Sequence, residues 1–260
     1  MAVLGIITCQ ILEREFAHLL ANDPEISMIG IIGDEYSQEF SKTLELKTTI
    51  RPKSLASAAE YAPTSSDGLE VIVRVIKVGL HSVIPDLWNG VRQAAIAMEP
   101  YVDTILLGYG LCGNALKDYE ELLPASVVPV ILPMDGDHPV DDCIGLTIGG
   151  RENYYEEQCR VAGTMFITSG FSRHWKTLLH EGRTAERYGI KMMKRLMASY
   201  QRSLLLPTAV ATEHELASGS QEFSEIYGLR TEVRPGTLDI LEKAWNSAKQ
   251  VVRRIDSSGK

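Results

Sequence analysis

Short apolar runs alternate with amphipathic stretches along almost the whole chain. In the first unit, Val3–Thr8 is a continuous apolar run typical of a buried strand, and residues 10–21 carry apolar side chains at helical spacing. Similar runs predict strands at Ser27–Ile32, Leu69–Val78, Thr104–Leu107, Val127–Leu132, Ile144–Ile148, Thr164–Thr168, Ser203–Leu206 and Leu229–Val233. Helical spacing predicts helices over Leu87–Met98, Thr184–Gln201 and Leu238–Arg254. Residues 35–69 are polar and indicate irregular loop, and the alternation in Leu69–Val78 indicates an edge strand.

Strands that alternate with helices favour a mostly parallel sheet covered on both faces. We therefore expect an α/β fold, with a Rossmann-like sheet flanked by helices on both sides. No internal repeat and no clear linker interrupts the pattern. A single α/β domain over residues 1–256 is the first expectation, two lobes split near residue 160 are the alternative, and residues 257–260 are expected to form a disordered tail.

Composition narrows the class of protein. The chain has 260 residues, 45% of them hydrophobic, and a formal net charge of −8, which is enough for a substantial core. The acidic balance and the lack of a dense basic run argue against a nucleic-acid partner. No apolar stretch approaches the roughly 20 residues that span a bilayer, and the amino terminus has no signal-like segment, so we expect a cytoplasmic protein without a membrane partner.

Three of the four cysteines lie beside predicted buried strands. Cys9 ends the first strand, Cys112 follows Thr104–Leu107 through a glycine-rich turn, and Cys143 precedes Ile144–Ile148. In an open α/β sheet, the loops outside the carboxyl ends of the strands converge on one crevice. Thiols that are far apart in sequence would then meet in a small space, which points to a metal or to thiol chemistry.

The most unusual segment of the sequence follows one of these strands. It consists of Gly108, Tyr109, Gly110, Leu111, Cys112, Gly113 and Asn114. Three glycines in six positions mean that the backbone turns tightly or approaches something closely. One interpretation is a strand-to-helix turn with Asn114 near the helix start, and the other places Cys112 and free backbone amides at the rim of a ligand pocket. A dinucleotide fingerprint is disfavoured, because a cysteine lies inside the glycine pattern and the strand is not the first of the fold.

Three more residues extend this candidate site. His81 lies between a predicted strand and a helix, Asp142 directly precedes Cys143, and Ser169 follows a strand end that would wall the same crevice. Three thiols and one imidazole are enough for a tetrahedral Cys₃His zinc site, or for a Cys₃ site with an open position. Three thiolates equally suit an iron–sulfur cluster. No Cys-x-x-Cys pair occurs, so the fold would have to assemble either site; the plainer alternative is that each thiol is simply buried.

Several motifs together resemble those of a known family. They are the segment from Gly108 to Asn114, Asp142-Cys143-Ile144, Gly149-Gly150-Arg151 with Tyr154, the early Cys9, the Leu80-His81-x-x-Pro region and Val233-Arg-Pro-Gly-Thr237. The family is domain-of-unknown-function family 1638, and the resemblance covers most of the chain. The family commonly has histidine directly before its Asp-Cys pair, where this chain has Asp141. If that histidine is a ligand in relatives, this chain would hold its metal differently, for example through His138.

The resemblance implies a role in one-carbon metabolism, because members resemble accessory proteins encoded beside corrinoid-dependent methyltransferases. The implied partners are a corrinoid protein or a methyltransferase, and a corrinoid would arrive on the partner, since the Asp-x-His-x-x-Gly signature of many carriers is missing.

Two hypotheses follow from the site and the resemblance. In the first, a zinc–thiolate site of Cys9, Cys112, Cys143 and His81 activates a thiol or pterin acceptor for methyl transfer. In the second, the crevice is a non-catalytic module that binds a corrinoid protein or a small molecule. The first hypothesis makes the chain a metal-dependent methyltransferase and the second makes it a binding protein, and either is compatible with an oligomer.

Overall fold

The computed structural model describes residues 2–64, 68–181 and 191–258. Its main sheet consists of β1 (Val3–Cys9), β2 (Ile26–Ile32), β3 (Lys53–Leu55), β4 (Leu69–Ile76), β5 (Thr104–Gly108) and β6 (Val130–Ile131). The strand order is β3-β2-β4-β1-β5-β6, and each neighbouring pair is parallel. All seven residues of β1 are buried, as expected for a central strand of a parallel sheet.

Eight helices carry labels here. They are α1 (Glu13–Asn22), α2 (Gln38–Glu45), α3 (Ile84–Met98), α4 (Cys143–Ile148), α5 (Arg151–Arg160), α6 (Ser169–Lys176), α7 (Glu213–Tyr227) and α8 (Asp239–Ser258). The helices flank the main sheet, which confirms the predicted α/β class and its Rossmann-like arrangement. A 3₁₀ turn at Gln10–Leu12 joins β1 to α1, and a π-helical turn at Thr177–Glu181 continues α6. Within the described ranges, each helix is too short or too polar to cross a membrane.

The second half of the chain forms a smaller sheet. A short antiparallel hairpin of β7 (Met134–Asp135) and β8 (His138–Pro139) comes first. The smaller sheet then contains β9 (Thr164–Ile167), β10 (Arg202–Leu205) and β11 (Arg230–Val233), all parallel, with β10 in the middle. The single domain over residues 1–256 and the alternative of two lobes both stay predictions. The disordered tail at residues 257–260 also stays a prediction: α8 is helical through Ser258, and residues 259–260 lie outside the described ranges.

Close contacts join the two sheets. Gly170, at the start of α6, packs directly on the 3₁₀ turn after β1: a Cβ atom there would lie 2.0 Å from the carbonyl oxygen of Ile11. The last helix, α8, packs against the main sheet, and Trp245 belongs to the hydrophobic core formed by that sheet and its helices. The Trp245 indole and the Lys249 ammonium donate hydrogen bonds of 2.7 and 2.5 Å to Asp23. The smaller sheet is thus packed against the carboxyl edge of the larger one at α6.

The predicted strand at Ile144–Ile148 is wrong, because this segment is the helix α4. The Asp142 side chain accepts hydrogen bonds from the Ile144 and Gly145 amides, both of 2.9 Å, and so caps the helix. A left-handed Gly149 ends it. A short continuous apolar run fits a buried helix as well as a buried strand, so periodicity alone did not separate the two.

Other boundaries also differ from the predictions. Residues 35–69 are not all loop, because they contain α2, the edge strand β3 and a 3₁₀ turn at Ala58–Glu60. Strand β4 is not at an edge but lies between β2 and β1. Strand β6 has only two residues of the predicted Val127–Leu132. Of the predicted helix Thr184–Gln201, residues 184–190 lie outside the described ranges, 191–196 are helical, and Met197–Ser199 form a 3₁₀ turn.

Candidate functional site

Four segments that are distant in sequence bring cysteine and histidine side chains to the carboxyl edge of the main sheet. Cys9 is the last residue of β1, and His81 lies in a 3₁₀ turn shortly after β4. Cys112 lies in the loop after β5, and Cys143 is the first residue of α4. Cys9 pairs with Ile76 at the end of β4, one register position beyond the end of β5, so the three strands end nearly level. The loops that follow them therefore begin side by side.

The glycine-rich loop after β5 is held against the segment that precedes α4. The Leu111 and Cys112 amides donate hydrogen bonds of 2.8 Å to the carbonyl oxygens of Val140 and Asp141. Gly110 permits this contact: a Cβ atom there would lie 2.6 Å from the Asp142 nitrogen and 2.6 Å from the Val140 oxygen. The crossing of these two backbones is what brings Cys112 close to Cys143.

Cys112 has an unusual backbone conformation. Its φ angle is +48°, and Gly113 and Asn114 follow with φ of +68° and +64°. Three consecutive left-handed residues are rare, and for a cysteine this conformation costs about 1–2 kcal/mol. Strain of this kind is usually found where a side chain has to point in one direction for binding or catalysis. Cys112 lines both of the cavities described next.

The three thiols and the imidazole border a common space. A cavity of about 30 Å³ is lined by Cys9, His81, Tyr109, Cys112 and Cys143, together with Lys77, Gly108 and four apolar side chains (Ile11, Leu12, Leu80 and Leu87). A larger cavity of about 540 Å³ is also lined by His81, Cys112 and Cys143. The larger cavity lies between the two sheets, because β9 and α6 form part of its wall. Folding thus gathers thiols from three separate segments into one pocket.

The predicted pocket residues divide into two groups. Gly108 and Tyr109 line the smaller cavity, and Gly113 and Asp142 line the larger one. Among the described lining residues of these two cavities, three predicted members are absent: Gly110, Asn114 and Ser169. Gly110 permits the close backbone contact described above. Ser169 donates a hydrogen bond to the buried carboxyl group of Glu15, which is described below. Cys159 is exposed on α5 and lines neither cavity.

Burial controls the charge of the pocket. It raises the pKa of Cys9 to about 11 and the pKa of Cys112 to about 12, and it raises the pKa of Cys143 well above the usual thiol value. Desolvation by the surrounding protein also lowers the pKa of His81, although this residue keeps solvent-exposed surface. The uncomplexed pocket therefore holds neutral thiols and a neutral imidazole at pH 7. A bound cation would supply the positive charge that thiolates need in this apolar surrounding.

Three buried polar atoms have no hydrogen-bond partner among the described residues. They are the Tyr109 hydroxyl, which lies near Cys9 and Cys112, and the Oε2 atoms of Glu13 and Glu15, whose charges act on Cys9 and Cys143 respectively. Buried polar groups are rarely left unpaired, and a bound ion, a water or a catalytic role is the usual explanation. Of the three residues, Tyr109 lines the smaller cavity with the thiols, whereas Glu13 and Glu15 are not among the described lining residues of either cavity.

The sequence interpretation missed Glu13 and Glu15 on α1. Both side chains are buried. Glu13 contacts the His174 imidazole at 3.2 Å, and Ser169 donates a hydrogen bond to Glu15. Burial is the main cause that raises the pKa of Glu15 to about 7. A signal for Glu15 was present, because its position, three after Leu12 and four before Leu19, falls on the apolar face of the helix.

The side chains are not yet arranged as a metal site. Among residues 2–64, 68–181 and 191–258, no group of three or more His, Cys, Asp or Glu side chains has the geometry to hold a metal ion. Metal binding would therefore require a change of rotamer at the cysteines that share the cavity.

The fold and the site define a parallel α/β protein with a thiol-lined cavity at the carboxyl edge of its sheet. The chain belongs to the family described as "Protein of unknown function (DUF1638)", whose model matches residues 75–245, more than half of the chain. The match confirms the family resemblance and includes His81, Cys112 and Cys143, but it begins after Cys9. No curated protein and no solved structure matches the chain.

Proposed function

We propose that this chain is a metal–thiolate protein of one-carbon metabolism, with Cys9, Cys112, Cys143 and His81 as its ligands. The observation that carries the proposal is the convergence of these four residues, from four segments, on one cavity. Cysteine and imidazole are soft and borderline ligands, which suit zinc better than magnesium or calcium. The strained Cys112 and the unpaired Tyr109 hydroxyl support a ligand at this place.

The chemistry proposed for the site is methyl transfer in a corrinoid-dependent system. If an acceptor thiol displaced His81, zinc held by Cys9, Cys112 and Cys143 would supply the positive charge that keeps the acceptor as its thiolate at neutral pH. The methyl group would pass from the cobalt of a corrinoid protein to that sulfur: the carbon–cobalt bond breaks, its electron pair stays on cobalt, and the sulfur–carbon bond forms. The thiol proton leaves to solvent when the acceptor binds. Family membership supports the corrinoid or methyltransferase partner through the resemblance alone.

We also propose that the chain works in the cytoplasm. A reducing compartment keeps thiols free, and the three cysteines of the pocket are all free thiols. The same compartment would contain the methyltransferase partner that the resemblance implies.

A second candidate function is non-catalytic recognition of a corrinoid protein or a methyltransferase. One observation favours it: within the described residues the donor atoms do not already have metal-binding geometry. In that case the thiols are buried small hydrophobic side chains, and the cavity serves binding alone.

Metal analysis of protein purified anaerobically without chelators tests the proposal. We expect about one zinc per chain in the wild type, and strong loss in Cys112→Ser and in Cys143→Ser, because a three-ligand site binds far more weakly. Cys159→Ser is the matched control, since that exposed thiol is away from the cavity and should keep the metal. Circular dichroism would check that all variants fold.

Three other results are informative. Absence of any metal in folded wild-type protein would refute the metal proposal, and saturable binding to a methyltransferase would then favour the second candidate. An oxygen-sensitive brown colour with bound iron would indicate that the site holds an iron–sulfur cluster in place of zinc. Equal zinc in the wild type and in the two cavity variants would place the metal elsewhere.

A further inference from the structure

The larger cavity has the size and position of a small-molecule pocket. Its volume of about 540 Å³ falls in the usual range for pockets that enclose a drug-sized ligand. One wall comes from the loop after β4 and from α4, and the other from β9, α6 and the π-helical turn. Cys112 and Cys143 line this cavity and the small one behind it, so they lie at its inner end.

The walls of this cavity are mainly apolar. The apolar side chains that line it are Ile11, Val78, Leu80, Ile144, Met165, Phe166, Phe171, Leu178 and Leu179. They come from both sheets, so a ligand would be enclosed on two sides. Such walls favour an apolar body, which gains about 0.8 kcal/mol for each CH₂ group that is buried.

The described part of the lining contains three charged residues, one ammonium (Lys77) and two carboxyl groups (Asp86 and Asp142). One Asp142 oxygen accepts the two helix-capping amides, and the other accepts the Tyr154 hydroxyl at 3.3 Å. The Lys77 ammonium lies 5.9 Å from the centre of the Tyr36 ring. Asp86 stands in the first turn of α3, where the helix dipole attracts it. The two carboxyl groups outnumber the one ammonium, so an anionic ligand would lose its hydration in a lining with an excess of negative charge, which is costly.

We infer that the cavity binds a small uncharged alkyl thiol, with its sulfur towards Cys112 and Cys143 and its alkyl body between the two sheets. This inference rests on the proposed function, and it selects the thiol over the pterin as methyl acceptor. Pterin acceptors of one-carbon metabolism carry a glutamate tail, and its carboxylates would meet the apolar wall. A thiol places its one soft atom where the proposed metal lies, and the apolar walls accept the rest.

Isothermal titration with defined probes tests the inference. The probes are 1-propanethiol, 1-butanethiol and 1-pentanethiol, with 1-pentanol as the sulfur-free control and 5-mercaptopentanoate as the charged control. On zinc-loaded protein we expect each added CH₂ to tighten Kd about fourfold, the equivalent of 0.8 kcal/mol. We expect 1-pentanol and 5-mercaptopentanoate each to bind at least about tenfold more weakly than 1-pentanethiol.

A variant in the wall locates the binding. Met165→Gln introduces a polar amide into the lining and should weaken 1-pentanethiol several-fold, whereas Val127→Gln, at a fully exposed position, should leave it unchanged. Equal affinity across the thiol series, equal affinity for 1-pentanol, or tighter binding of the carboxylated thiol would each overturn the inference. Zinc content measured on the same samples distinguishes failure of the inference from failure of the proposed function. Bound zinc together with a Kd that does not depend on the alkyl chain length would refute the inference alone. Absence of zinc would refute the proposed function.

Discussion

Replacing Glu15 by glutamine is expected to stabilise the fold at neutral and alkaline pH. The Glu15 side chain is buried at the start of α1; Ser169 donates a hydrogen bond to Oε1, while Oε2 has no hydrogen-bond partner within the described part of the chain. Burial is the largest cause that raises the pKa of this carboxyl from 4.5 to about 7, and the neighbouring Glu13 adds to the rise. Glutamine has nearly the same shape, keeps an acceptor for the Ser169 hydroxyl, and cannot ionise.

The expected magnitude follows from the two pKa values. Below pH 4.5 the carboxyl is protonated in the folded and in the unfolded chain, so its ionisation does not affect stability. Between pH 4.5 and about 7 only the unfolded chain is ionised, and the free energy of unfolding falls by about 1.4 kcal/mol per pH unit. Above pH 7 the loss is constant at about 3 kcal/mol. The variant lacks this loss, so its advantage over the wild type should grow by about that amount.

Urea unfolding followed by circular dichroism, at steps from about pH 4.5 to pH 8, measures this difference. Glu45→Gln is the matched control, because that glutamate is exposed on α2 and should follow the wild-type curve. The difference between Glu15→Gln and the wild type is compared across pH, so any constant cost of the buried amide cancels. A difference that does not change with pH would refute the reasoning, because it would mean that Glu15 ionises as easily in the folded chain as in the unfolded one.

Further predictions concern the loop that holds Cys112 and the smaller sheet. Gly110→Ala should destabilise the fold and lower the zinc content, because its Cβ atom would lie 2.6 Å from the Asp142 nitrogen. Gly90→Ala is the control and should do neither. Equal melting temperatures of Gly110→Ala and the wild type would contradict this prediction. In metal-free protein, Cys112→Gly should be more stable to urea than Cys112→Ala by about 1 kcal/mol, because only glycine adopts a φ of +48° without strain; the reverse order would show that the loop relaxes. Arg202→Ala should cost about 3 kcal/mol of unfolding free energy, since it removes a fully buried guanidinium that pairs with buried carboxylate; a loss below about 1 kcal/mol would show that the neighbouring arginines compensate.

The class of fold could be predicted from the sequence because it depends on local periodicity. The run at Val3–Thr8 and its helical sequel appear in the structure as β1, the 3₁₀ turn and α1. The pattern was insufficient where one local signal fits two structures. The apolar run after Cys143 is a helix because Asp142 caps it, and β4 is central because strand order depends on long-range pairing. Glu15 was overlooked because a charged residue on an apolar helix face is usually displaced to solvent, and here α6 covers it.

What the sequence determines by itself is an α/β chain with Cys9 at the end of one strand and Cys112 just beyond another, because local hydrophobicity and glycine content specify where strands end and loops begin. Only the tertiary structure decides that Cys9, Cys112 and Cys143 share one cavity. That outcome depends on the pairing of β5 with β1, and on the hydrogen bonds that join the Leu111 and Cys112 amides to the segment before α4. These contacts join residues far apart in the chain, and no local pattern specifies which distant backbone a given amide will meet.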